Sequence, residues 1–292
     1  MDVLNIALRL AQYASILSLF GLAGFAIYAP RAAAFLPRGR GILALAFVGL
    51  SASTAAIFVL AVTMTGDVAG ATDPSVLLSI ISDTAVGHAW TVRLVALAAA
   101  IGVARIRNPF PLLVASGLAA ATLAWGGHAV SDTGLFGLAH LSADVIHILA
   151  AGIWVGALVA FLRLVMLVEE SAGATASALA AFSGVGSAVV AILIATGLVN
   201  ALHMVEWRPL PVLTTSPWGW LLMAKLGLFG AMLGLAAANR FLLTPRLETE
   251  ISNGVGGRLT DLRRSLMLET SLAFGVVALV SVLGALAPPT AV

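Results

Sequence analysis

Long apolar runs separated by short polar breaks recur along the whole chain, and each run is close to the ~20 residues that cross a bilayer. Eight runs read as spans, roughly 4–29, 42–66, 86–104, 111–130, 138–167, 178–203, 218–241 and 265–287. Unbroken runs of this length predict helices and not a barrel, because backbone groups in hydrocarbon must be satisfied within the segment. Pro30, Pro74, Pro109, Pro111, Pro217, Pro245 and Pro288 fall at or near run ends, where a missing N–H does least harm. The stretch from Asp67 to Val86 fits a short interfacial helix ahead of the third span.

Composition strengthens this picture. Of 292 residues, 61% are hydrophobic and 10% charged, against about 25% charged in a soluble domain. The predicted fold is an all-α polytopic membrane protein, a bundle of eight transmembrane helices forming a single transmembrane domain over residues 1–292. The first run follows Asp2, lacks a basic preceding region and exceeds a signal-peptide core, so it is expected to be a retained helix. The arginines are scattered over short loops and form no basic stripe, which argues against nucleic acid as a partner despite the net charge of +2. The lipid bilayer is the expected surrounding.

The distribution of positive charge predicts orientation. Arg31, Arg38, Arg40, Arg105, Arg107, Arg163, Arg240, Arg246, Arg258, Arg263 and Arg264 flank one side of the spans. The other side holds only Arg9 and Arg208, and Arg93 and Lys225 lie within spans. Cytoplasmic loops carry the excess of basic residues, so both termini are expected to be extracytoplasmic. Trp125, Trp207, Trp218 and Trp220 then fall near the outer interface, as an aromatic belt does.

With that orientation all five histidines lie toward the outer face. The strongest signal is His140–Leu158, which sets His140, Asp144 and His147 at i, i+4 and i+7, along one face of a helix. Ionisable groups in hydrocarbon are costly and mark function by default. Imidazole and carboxylate together point to a metal ion. With no cysteine in the chain, His, Asp, Glu and Met are the available ligands. His140 and His147 are about 10.5 Å apart along the axis, which predicts two sites at different depths or one site completed by other helices. His88, His128 and His203 are the completing imidazoles, with Met204 beside the last. Arg93 and Lys225 lie at a depth similar to Asp144, and either one pairing with it would lower the burial cost of both.

Plainer readings compete. A histidine at a helix end, such as His88 or His203, is commonly an interfacial or hydrogen-bonded group. Arg93 and Lys225 can extend to the interface and bind nothing. Gly152 and Gly156 form a small-xxx-small pair on roughly the opposite face from the histidines, which predicts helix packing.

At this point the chain resembles the copper resistance protein D (CopD) family of bacterial inner-membrane proteins. His140–Leu158 resembles that family's central motif. Residues 215–247 resemble its seventh helix, with Gly219, Lys225, Asn239, Arg240 and Pro245 in the pattern. The GHA of residues 127–129 and the segment Gly197–His203 are weaker matches. The resemblance implies copper uptake from periplasm to cytoplasm alongside a small soluble copper-binding partner, and carries the metal-handling roles onto His140, Asp144 and His147. The chain shows spans and short loops alone, so a separate periplasmic donor protein is implied. It is also poor in methionine near the outer face, unlike a thioether relay for Cu(I).

Imidazole and carboxylate suit Cu(II), and the chain lacks a phosphate-cradling G-x-x-x-x-G-K-[ST] loop. The leading expectation is a non-enzymatic copper transporter in the inner membrane. Copper docks on His140, Asp144 and His147 with help from His128, His88 or His203, then passes inward. The inner half offers few ligands beyond Glu269, Asn239 and Glu169 with Glu170. Two alternatives stand beside it. One is a membrane redox protein in which His147 and a second histidine hold a b-type haem; the other is a non-transporting copper sensor or assembly factor.

Overall fold

In a computed structural model, residues 2–36, 39–126, 134–167, 172–205, 215–252 and 260–286 are described. Helix α1 (Asp2–Tyr28) is followed, after a single turn at Pro30–Ala33, by α2 (Arg40–Thr65), α3 (Pro74–Asp83), α4 (Ala85–Val103) and α5 (Phe110–Ala121). Next come α6 (Gly134–Leu167), α7 (Ala172–Val205), α8 (Pro217–Ala238), α9 (Thr244–Ser252) and α10 (Thr260–Leu283). Among the described residues there is no strand. Seven stretches are long and apolar enough to cross a membrane: α1, α2, α4, α6, α7, α8 continued to Leu247, and α10. The chain is an all-α polytopic membrane protein.

The expected fourth span, 111–130, has a different build. Its α-helical part is the twelve residues Phe110–Ala121, continued by a 3-10 turn over Thr122–Gly126, and residues 127–130 lie outside the described part. Twelve α residues rise ~18 Å and five 3-10 residues ~10 Å, so the stretched end brings the segment close to a ~30 Å hydrocarbon core. The change of pitch strands carbonyls, and Arg93 of α4 meets them. Its Nε donates to Thr122 Oγ1 at 2.9 Å and its Nη2 to Thr122 O at 2.7 Å.

The expected interfacial helix after Asp67 is present as α3. Asp73 caps it, with Oδ1 accepting from the Ser75 N–H at 2.8 Å, and Pro74 occupies the first turn. Gly66, at φ +73°, ends α2 in the left-handed region that favours glycine.

Helix α1 is the hub. It packs against α2, α5, α6 and α10, and most extensively against α6. Lipid gives helices no hydrophobic reason to associate, so close backbone approach has to do it. Gly21 of α1 meets Gly152 and Gly156 of α6, and a Cβ on Gly21 would lie 2.6 Å from the Gly156 Cα. That crossing fulfils the packing expectation for Gly152 and Gly156. On the other side of α1, Gln12 Nε2 donates to Ala52 O of α2 at 3.2 Å. Helix α8 is the least buried of the long helices and packs along α10.

Candidate metal site at the histidine end

The described start of α6 carries the predicted stripe. His140 is buried at 4% exposure, and Asp144 and His147 are half-buried below it. Opposite them, α7 runs antiparallel and presents its own polar ladder. His147 Nδ1 lies 2.8 Å from Thr196 Oγ1, and Asn200 Nδ2 donates to Asp144 Oδ1 at 3.2 Å. Thr196, Asn200 and His203 repeat the i, i+4, i+7 spacing of the α6 stripe in reverse order. That register sets backbone positions 203 and 204 level with His140. The side chains of His203 and Met204, and the whole of His128, lie outside the described residues.

The hydrogen bonds define what the site can do. Thr196 Oγ1 gives its own proton to Ile192 O at 2.6 Å, so it accepts from His147, which therefore carries its proton on Nδ1. The Nε2 lone pair is then the ligating one, the usual arrangement in which a second partner orients a metal-binding imidazole. Asn200 Oδ1 is buried and without a donor among the described residues. His140 and Lys225 are within electrostatic reach of Asp144, and Asp144 in turn is within reach of Tyr13 of α1. A neutral imidazole nitrogen, a carboxylate and an amide oxygen are each acceptors of the kind a cation satisfies.

The two predicted intramembrane charges separate here. Lys225 of α8 lies within electrostatic reach of both Asp144 and His147. Arg93, at 8% exposure, is committed to Thr122 and is not the partner of Asp144. His88 stands apart as well: it is exposed, its Nε2 lies 2.8 Å from Ser82 O at the α3–α4 junction, and it lines a groove with Thr122 and Trp125. It closes a local turn, as the plainer reading had it. Among the described residues no three His, Asp or Glu side chains converge on one point. Across from the α6 stripe, the described polar partners on α7 are Thr196 and Asn200.

Thr196, Asn200 and Tyr13 escaped the sequence reading. The signal for the first two was the mirrored spacing, unweighted because neither residue is ionisable.

A second polar group sits farther down the same face of α6. Trp154, seven residues beyond His147, donates from Nε1 to Glu269 Oε1 at 3.0 Å, and Asn239 Nδ2 donates to Glu269 Oε2 at 2.8 Å. Asn239 opens a π-helical turn, Asn239–Leu243. Pro245 has no N–H for the ordinary ladder, and both the backbone N–H and the Oγ1 of Thr244 turn to Asn239 O. Glu169 and Glu170 lie outside the described residues.

Residues 1–138 match the family model for the copper resistance protein D-like N-terminal domain, and residues 176–283 match that for copper resistance protein D. The chain is 38% identical over 303 positions to copper resistance protein D of Pseudomonas syringae pv. tomato, covering 98% of this chain and 97% of that protein. It is 35% identical over 129 residues to inner membrane protein YebZ of Escherichia coli (strain K12), covering 44% of this chain and 43% of that one. No solved structure matches.

Proposed function

Because this chain belongs to the copper resistance protein D family, we propose that it binds copper at the histidine end of the bundle and carries it inward across the membrane. The chain handles copper and is a multi-pass protein of the inner membrane. The excess of arginine at the opposite end supports a histidine end and termini that face outward. One observation supports the reading: the ladder of His147 on Thr196 and Asp144 on Asn200, which holds an imidazole and a carboxylate of α6 against α7 and leaves the buried Asn200 Oδ1 without a donor among the described residues.

The donors are nitrogen and oxygen, a set that suits Cu(II), the divalent first-row ion of highest affinity. His140 adds a second imidazole one turn above Asp144, and His203 is level with it on α7. Lys225 balances the charge of Asp144 in the metal-free protein, and an arriving cation takes over that role. The role is binding and transport without catalysis, and a soluble periplasmic copper-binding protein is the donor.

The test is metal analysis of the purified protein together with copper uptake by cells expressing it. His140→Ala and His147→Ala are expected to abolish copper binding while the protein remains folded. Unchanged stoichiometry in both variants would remove α6 from the site. Copper retained at the outer face with none delivered inside would overturn transport.

A further inference from the structure

Glu269 is the most deeply buried acid among the described residues, at 3% exposure. Each of its oxygens accepts one N–H, from Trp154 and from Asn239, and neither donor is charged. With Asn239 it lines a cavity of about 320 Å³ walled by α6, α7, α8 and α10, including Phe161, Phe182 and Arg240. Asn239 is itself 6% exposed, and its Oδ1 is buried with no donor among the described residues.

The charges around the cavity do not neutralise this acid. Arg240, on the π turn, donates to Ser183 O at 3.2 Å and to Ser187 Oγ, and its guanidinium lies 5.2 Å from the centre of the Phe241 ring. Other titratable and charged residues on the packed elements, among those described, do not line the cavity: His140, Asp144, His147 and Arg163 on α6, Lys225 on α8, Arg246 on α9, and Asp261, Arg263 and Arg264 early in α10. An ionised carboxylate held in hydrocarbon without a cation is costly. It must take a proton or a metal ion. Oxygen-only donors beside aromatic rings suit neither a soft Cu(I) nor a nitrogen-preferring Cu(II). The proton is the cation this chemistry fits.

The local hydrogen bonding accommodates both charge states. Ionised, Glu269 accepts from the Asn239 amide N–H as observed. Protonated, its new O–H needs an acceptor, and the Asn239 Oδ1 becomes one when the amide turns about its terminal torsion. We propose that Glu269 and Asn239 form a proton-binding site. A proton arriving through the cavity bonds to a Glu269 oxygen, neutralises it, and leaves by the same O–H bond breaking. In the transport reading, such a proton balances the charge of copper moving through the bundle. That use rests on the transport proposal, whereas the site itself does not.

The experiment is infrared titration of the full chain in lipid nanodiscs, which needs no copper. A carboxylic-acid C=O band that rises as pH falls is expected in wild type, is expected to vanish in Glu269→Gln, and is expected to shift in Asn239→Leu. Asp144→Asn should leave it in place. Should Glu269→Gln fail to fold, Glu269→Asp serves instead and should move both the band and its midpoint. If no titrating band responds to changes at Glu269, or the band ignores Asn239, the proton site is overturned. Copper binding at the histidine end, measured on the same samples, reports separately on the transport reading.

Discussion

Replacing Thr196 with valine removes one oxygen and almost no volume, and it tests the assignment of the His147 proton. In the structure, His147 Nδ1 donates to Thr196 Oγ1 at 2.8 Å, and that hydroxyl donates onward to Ile192 O at 2.6 Å. Valine leaves the Nδ1–H buried without an acceptor. A buried donor left unmet costs about 1–3 kcal/mol. The metal-free protein can escape this by moving the proton to Nε2, but copper binding must reverse the move to free that nitrogen. The cost therefore falls mainly on the loaded state. At tenfold per about 1.4 kcal/mol, affinity should drop on the order of 10–100-fold, the range found when outer partners of metal-bound histidines are removed. Thr196→Ser keeps the hydroxyl and should restore most of the affinity. The assay is competition for copper against a chelator of known affinity, at one pH, with thermal unfolding as a control for fold. Wild-type affinity in Thr196→Val would refute the reasoning, and so would an equal loss in Thr196→Ser.

Two further expectations concern packing. Gly156→Ala should destabilise the bundle by at least the 1–3 kcal/mol of ordinary overpacking, because the new Cβ would lie 2.5 Å from the Leu22 N and closer still to the Gly21 backbone. Gly227→Ala, where nothing lies within 4 Å, should be neutral; thermal unfolding in detergent compares the two. Arg93→Met removes both hydrogen bonds to Thr122 and should lower stability by about 1.5–3 kcal/mol, with copper affinity unchanged. A loss of copper affinity with full stability would instead return Arg93 to the side of Asp144.

Much of the fold was legible because hydrocarbon leaves a chain few choices. A run such as 42–66 can only be a helix, and α2 spans Arg40–Thr65. Ends were less legible. Helix α7 begins at Ala172 and not near 178, since its small first-turn residues, Ala172 to Ala176, neither forbid nor announce a helix. The 3-10 end of the fourth span was hidden, because its partner is Arg93, twenty-nine residues earlier in the chain. In the site, the stripe on α6 stood out through charge and spacing. Its partners on α7 have the same spacing, but threonine and asparagine are ordinary in membrane helices. The Glu269 group was half visible: the sequence marks Glu269 and Asn239 as two of the few possible ligands of the inner half, while the Trp154 hydrogen bond joining α6 to α10 depends on tertiary placement.

One helix face connects the two polar regions. At 100° per residue, His140, Asp144, His147, Ala151, Trp154 and Leu158 fall within one narrow stripe of α6, and Gly152 and Gly156 fall well away from it. The glycine crossing with α1 therefore fixes the rotation of α6, and with it the direction in which both the histidines and Trp154 point. Between His147 and Trp154 the stripe offers only Ala151, over about 10.5 Å of helix. Across from that gap α7 presents Val189 and Leu193, both buried, and Phe229 of α8 packs edge-on against Trp154. A hydrated ion has no partner over that distance, and stripping it of water there is expensive. The apolar band thus separates the histidine end from the buried carboxylate of Glu269. On the transport proposal, an ion crossing that band needs a change in how the helices pack around it, because the described face offers it no ligand there.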